Sequence, residues 1–461
     1  QFLYFIGPSM PVRRSPKSLE DPSPTEGDRL LRQPPAPRSG ERDEEPYHNT
    51  SALASLRSEL TEPYSELEPI QGDHLKLRAA LLVGAGTFGM WGLFMQLHNL
   101  QKRIGIDADD GSRIAAFTAA TSVGYVGKVL AIMSHSIFLS CWQPRERAMF
   151  GMLGMAFSHF LLLACFYLEN EPATKSLVVV AAAFFVGGYA RGCMEANVYT
   201  FLAPYGPDAK RWAAVGFTLG WTISGVVIYT IYDTAGDSYI VHGAVYTAVV
   251  IANVAAAVTI RFFIGPPADD VVVPQENFMK FLDDLRLWRE WMPLIRYNVV
   301  SYAVVGFCST LANGVIQLMY LGGNENTIVP GFQVNAHMFM VLYCTLSFFT
   351  GNLGAYKGRY LPHFVYFTAA TGILGVILAM TGVPILGLIG GSLQFFALSS
   401  SIATTVHIDT HVAREFNLSA VSLWLLLYNF GMLVGLAVAG PFRAILGRGG
   451  SGQPGGGTIT H

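Results

Sequence analysis

Residues 177–199 read Leu177-Val-Val-Val-Ala-Ala-Ala-Phe-Phe-Val-Gly187-Gly188-Tyr-Ala-Arg191-Gly192-Cys-Met-Glu195-Ala-Asn-Val-Tyr199. Up to Arg191 the run carries no charge and no apolar–polar alternation, so it is not a half-buried strand. Its length, about twenty residues, is what a helix needs to cross the hydrocarbon core of a bilayer. An Arg and a Glu inside such a span each cost several kcal/mol unless they face protein or water. Arg191 and Glu195 are four apart, so they share a helix face and can pair.

Outward from this stretch, runs of the same kind follow one another from Leu75 to Leu446. The chain of 461 residues is 51% hydrophobic and 13% charged, whereas soluble domains average about 25% charged. Spans are expected at about 77–98, 114–140, 148–169, 176–203, 212–232 and 239–264, then at 292–320, 336–356, 362–381, 384–407 and 417–443. The fold expected is an all-α polytopic membrane protein, about eleven helices in a six-plus-five arrangement. Residues 1–75, rich in Pro, Ser, Glu and Arg, are expected to be a disordered cytosolic N-terminus. Residues 76–264 form a first membrane bundle and 292–446 a second, with a flexible Gly-rich tail at 447–461. In the connector, 265–291, the stretch from Asn277 to Trp288 has apolar residues at helical spacing and reads as an amphipathic helix on the cytosolic surface.

Orientation follows from the basic residues. Lys76 and Arg78, Arg145 and Arg147, Lys210 and Arg211, Lys280, Arg286 and Arg289, Lys357 and Arg359, and Arg414 fall at every second connector. The excess places the N-terminus in the cytosol and, after eleven crossings, the C-terminus outside. The Asn-x-Ser sequons at Asn49 and Asn417 are then cytosolic.

Lys128 is the third ionisable residue deep in a span. It either reaches Glu195 across the bundle or snorkels toward the interface. Glycines recur at helix-packing spacing, among them Gly84, Gly86, Gly187, Gly188, Gly192, Gly216, Gly431 and Gly435. His135, His159, His242 and His337 stand singly and read as packed or interfacial. Cys141, Cys165, Cys193, Cys308 and Cys344 lie in or beside apolar runs and read as small buried hydrophobes. His407, Asp409 and His411 alternate and are expected on different faces, with no metal site. Neither Gly-x-Ser-x-Gly nor His-Glu-x-x-His occurs, so no enzyme, cofactor or metal is expected. A net charge of −2 gives no basis for nucleic-acid binding.

The first span reads Gly84-Ala-Gly86-Thr87-Phe-Gly-Met90-Trp91-Gly92-Leu-Phe94. It resembles the first-helix signature of the equilibrative nucleoside transporters, Gly-x-Gly-Thr-x-x-Pro-Trp-Asn-x-Phe, with Met90 for Pro and Gly92 for Asn. Asn352-Leu-Gly-Ala355-Tyr-Lys-Gly358-Arg359 is similar to that family's Asn-x-x-Asp-x-x-Gly-Arg element, with Ala355 for Asp. Phe396 to Thr405 resembles the stretch where the family has Asn-Gly; Ser400 and Ser401 stand there instead.

As a divergent, protist-type member, the chain would have a major-facilitator-like fold of two bundles rocking around a central cavity without ATP. The resemblance implies that Trp91 stacks on a base and that Arg359 meets ribose hydroxyls, with Arg191 near a base-reading position. By the same resemblance, Ala355 removes the acid that partners the Arg, which leaves a bare nucleobase or a different polar solute as the alternatives to a nucleoside. The residues expected to line the path are Trp91, Arg191, Glu195, Asn313, Gln317 and Arg359. The function expected is alternating-access transport of nucleosides or nucleobases, facilitative or proton-coupled, in the plasma membrane. The alternatives are a carrier of a sugar, amino acid or organic anion, and a non-transporting membrane subunit or receptor. The partners expected are the small-molecule substrate and the lipid bilayer.

Overall fold

The computed structural model describes residues 111–166, 173–228, 239–264, 278–320, 326–357 and 364–450, with 77–86 and a few isolated positions before 111 and between 229 and 238. Side chains of the last helix are described as far as residue 438. The helices are α1 (Leu77–Gly86), α2 (Gly111–Phe138), α3 (Pro144–Phe166), α4 (Ala173–Phe201), α5 (Pro207–Thr222) and α6 (Tyr239–Val258). After these come α7 (Phe278–Arg286), α8 (Trp288–Tyr320), α9 (Ala336–Lys357), α10 (Phe364–Ala379), α11 (Pro384–Ser399), α12 (Ser401–His411) and α13 (Asn417–Gly450). Two π-helical turns extend α5 to Ile228 and α6 to Phe263.

Among the described residues nine segments are long and apolar enough to cross a membrane: α2, α3, α4, α5 and α6 with their extensions, α8, α9, α11 joined to α12, and α13. α1 and α10, at the places of the expected first and ninth spans, are shorter apolar helices. The surface is inverted relative to a soluble protein. Phe138 is 72% exposed and Phe262 74%, while Ser158, His159, Asn253 and Thr368 are buried. Large rings turned outward and polar groups turned inward suit a hydrocarbon solvent. The chain is an integral membrane protein.

α4 packs on α2 and α3, and α3 also packs on α6. In the later part of the chain α8 packs on α13, α10 and α11, while α11 packs on α9 and α10. Two seams join these groups: α13 touches α2 and α4, and α5 packs on α9, α11 and α12. Glycine makes the tightest of these contacts. A Cβ on Gly188 would stand 1.8 Å from the Gly124 carbonyl oxygen, and one on Gly192 2.4 Å from that of Lys128. α2 and α4 thus meet backbone to backbone, the close approach that small residues permit in membranes.

One expectation, that the cysteines are buried, is corrected at Cys141. Arg145 and Arg147 cap helices: Arg145 donates to the carbonyls of Ile260 and Arg261 at the end of α6. Arg147, fully buried, donates to Leu139 just past α2. Both meet carbonyls left unpaired at helix C-termini. Cys141 is exposed, unlike Cys193, Cys308 and Cys344. The connector after α8 holds a short antiparallel hairpin, Asn326–Val329 with Phe332–Val334, turned by Pro330 and a left-handed Gly331 (φ 85°). Glu62 accepts a backbone hydrogen bond from Arg414 and lies 3.7 Å from its guanidinium.

The connector helix forms as α7 and docks by its polar side. Asp284 accepts a 2.6 Å hydrogen bond from Ser419 and pairs with Lys280, which also donates to the Glu415 carbonyl. Met279 and Leu285 on α7, and Trp288 just after it, remain exposed. The long tenth span is broken at Ser400, whose N–H still bonds the Phe396 carbonyl before α12 starts.

Candidate functional site

Arg191 and Glu195 occupy one face of α4, and the i,i+4 pair forms: Arg191 Nε and Nη2 each lie 2.7 Å from Glu195 Oε1. Lys128 arrives from α2, and its Nζ is 2.7 Å from Glu195 Oε2. Of the two readings open for Lys128, the structure gives the reach across the bundle. Lys128 and Arg191 are 3% and 2% exposed. Among the described residues, one carboxylate therefore holds two buried cations.

Glu195 also lines a small, partly open cavity. Its wall is built where the two seams converge. Tyr199 comes from α4, Phe217 from α5, Tyr302 from α8, and Trp424 and Tyr428 from α13. Ser399 and Ser401, on either side of the helix break, complete it. The rings interlock edge to face. Trp424 meets Tyr199 at 6.0 Å and Tyr302 at 5.4 Å between centroids, and Tyr302 meets Tyr428 at 6.4 Å. Among the described residues the buried Trp424 indole N–H and Ser399 hydroxyl have no hydrogen-bond partner. Such atoms on a cavity wall can serve a ligand.

Of the six residues expected to line a path, Glu195 lines this cavity and Arg191 stands behind it. Asn313 lies elsewhere, accepting a 2.6 Å hydrogen bond from Tyr343. Trp91, Arg359 and the side chain of Gln317 lie outside the described residues. Ala355, at the place of the family's acid, is buried in a small apolar cluster with Ala214 and Ile402. The aromatic wall escaped the sequence reading because a ring in an apolar run looks the same whether it meets lipid or a cavity. The usable signal was Tyr199, one turn beyond Glu195 on the same helix face.

A second buried ion pair was also missed. Lys210, read as a connector charge, is fully buried, 2.5 Å from Asp409 of α12. Asn417 donates to the other Asp409 oxygen at 2.9 Å. His407 and His411 are not on different faces, as expected, but four apart on one, with rings stacked at 4.1 Å. Ala214, one turn beyond Lys210 on α5, lines the cavity, so the pair stands just past one end of it.

No family model and no curated protein matches the chain. Solved structures do. A bacterial homologue of the iron transporter ferroportin, in its outward-facing state, aligns with a TM-score of 0.54 at 14% sequence identity, covering 82% of this chain and 95% of that one. An auto-inhibited peptide transporter of the POT family aligns with a TM-score of 0.50 at 12% identity, covering 80% and 90%. The fold is major-facilitator-like. Identities this low carry architecture alone, and the two neighbours are described differently, one as a homologue of an iron transporter and the other as a peptide transporter. In this architecture the cavity of Glu195 lies between the helix groups, where α4 and α5 face α8 and α13.

Proposed function

We propose that the protein is a carrier that moves a small polar solute with a planar aromatic part by alternating access, a nucleobase or nucleoside in the leading reading. The observation that carries this is the cavity itself: one charged group, Glu195, set in a wall of interlocked aromatic rings at the meeting of both helix groups. Ring faces stack on a planar solute, and a carboxylate accepts from its N–H groups. The burial of Ala355 among alkyl groups favours a nucleobase over a nucleoside, because the sugar-gripping acid of the resembling family is replaced by a packing residue. The break at Ser400 supports alternating access, since interrupted helices at a cavity are a recurrent carrier device. Trp91 and Arg359 contribute base stacking and solute contact in this reading. The N-terminus is cytosolic and the membrane is the plasma membrane.

The test is uptake of radiolabelled adenosine, inosine, hypoxanthine and uridine into liposomes carrying the protein, at two pH values. Saturable uptake lost in Trp91→Ala and Arg359→Ala supports the reading, and its pH dependence separates facilitative from proton-coupled transport. Folded protein that moves none of the four turns attention to the second reading, a carrier of another solute, which the differing transporter types of its structural neighbours favour.

A further inference from the structure

A carboxylate facing aromatic rings is ordinarily a site for a cation, because ring faces attract ammonium groups. Here the protein meets that carboxylate with its own cations, from behind the cavity lining. The Lys128 ammonium is 2.7 Å from Glu195 Oε2 and 5.9 Å from the centroid of the Tyr428 ring. Arg191 holds the other carboxylate oxygen. Lys128 is fixed from behind, since its own carbonyl packs against Gly192 where α2 and α4 touch. Both Glu195 and Tyr428 line the cavity, and no other acid does among the described residues.

We propose that Lys128 sets the charge selectivity of the cavity: its ammonium, just behind the lining, offsets the Glu195 carboxylate that would otherwise draw a cationic ligand, so uncharged or anionic planar heteroaromatic solutes are accepted and organic cations are rejected. A cation that enters meets, among the described residues, two cations grouped on one carboxylate, and like charges repel strongly where water is excluded. An uncharged or anionic ring meets stacking surfaces and a field of positive sign. The inference rests on the carrier reading for the meaning of the cavity, but it concerns binding and is tested as binding.

The experiment is equilibrium binding of three radiolabelled planar probes to the full chain in nanodiscs: hypoxanthine (uncharged), orotate (anionic) and 1-methylnicotinamide (cationic). The wild type binds hypoxanthine or orotate and holds 1-methylnicotinamide at least about tenfold more weakly. Lys128→Met gains about tenfold or more in affinity for the cation, whereas Lys128→Arg, which restores the charge, keeps the wild-type order. Thermal melting of each variant establishes that it is folded. If Lys128→Met does not fold, competition on the wild type decides, excess 1-methylnicotinamide failing to displace hypoxanthine or orotate. The inference is overturned if the wild type binds the cation as tightly as the other probes, if it binds neither hypoxanthine nor orotate, or if folded Met and Arg variants share one selectivity. Selective binding without uptake into liposomes removes the carrier reading and leaves the inference standing. Uptake of hypoxanthine with no difference between the Met and Arg variants does the reverse.

Discussion

Glu195 is the hinge of the buried charges, because two cations depend on it. Removing its charge takes the shared carboxylate from Lys128 and Arg191, both nearly inaccessible to solvent. Breaking a buried pair from one side costs about 3–5 kcal/mol. Glu195→Gln is therefore expected to lower the melting temperature in detergent sharply, and Lys128→Met added to it to recover part of the loss. A double variant no more stable than the single one would contradict this.

Asp284 makes a second point outside the spans. Its burial raises its pKa above the ordinary carboxylate value, against the opposing pull of Lys280 and Ser419. A carboxyl that binds its proton more tightly folded than unfolded adds stability as pH falls through the window between the two values. The seat of α7 on α13 is thus expected to tighten as pH falls through that window, measured by hydrogen exchange in α7, and Asp284→Asn to flatten the response. The Arg191–Glu195 pair was legible because four-residue spacing dictates it. The partner of Lys128, like that of Lys210, lies on another helix, and no spacing encodes which helices become neighbours.

At the scale of elements, the seam between α2 and α4 sets the tolerance to side chains. Gly188→Ala would drive a methyl into the Gly124 carbonyl, a backbone atom that cannot rotate away. The cost is expected to exceed the roughly 1–3 kcal/mol of ordinary overpacking. Gly243→Ala on α6, where a Cβ would meet only Leu163 Cδ1 at 3.9 Å, is expected to leave the melting temperature within a few degrees of the wild type. Equal melting shifts in the two variants would count against backbone contact as the cause. The spans themselves were legible in full stretches such as 336–357 and 384–411, because apolar length alone specifies them in lipid. The hairpin after α8 and the π-helical turns were not, since their short backbone departures leave hydropathy unchanged.

The whole molecule is tied across its two helix groups by polar as well as apolar contacts, and the pair of Lys210 with Asp409 is one of them. The pair joins α5 to α12 beneath the cavity, and neither partner is on the surface. Lys210→Met or Asp409→Asn leaves an unmatched buried group and is expected to cost several kcal/mol. The exchange Lys210→Asp with Asp409→Lys is expected to restore much of it, read by thermal melting of all three variants. An exchange variant as unstable as the singles would show that the pair contributes shape rather than charge. Composition announced the membrane class of this architecture, while the cavity required the assembled seams to be seen.

The placement of the tryptophans has an optical consequence. Trp142 and Trp288 are exposed on the outer surface, whereas Trp221, Trp291 and Trp424 are buried, the last in the wall beside Glu195. Brominated acyl chains quench only the indoles they touch, so emission from the protein in such lipids separates into a quenched part and a protected part. Trp424 shares the protected part with Trp221 and Trp291, so a change in the residual light that Trp424→Phe abolishes reports on the interior cavity, while the lost light reports on the bilayer. The chain thus carries its own unlabelled probes of both its lipid-facing surface and its interior.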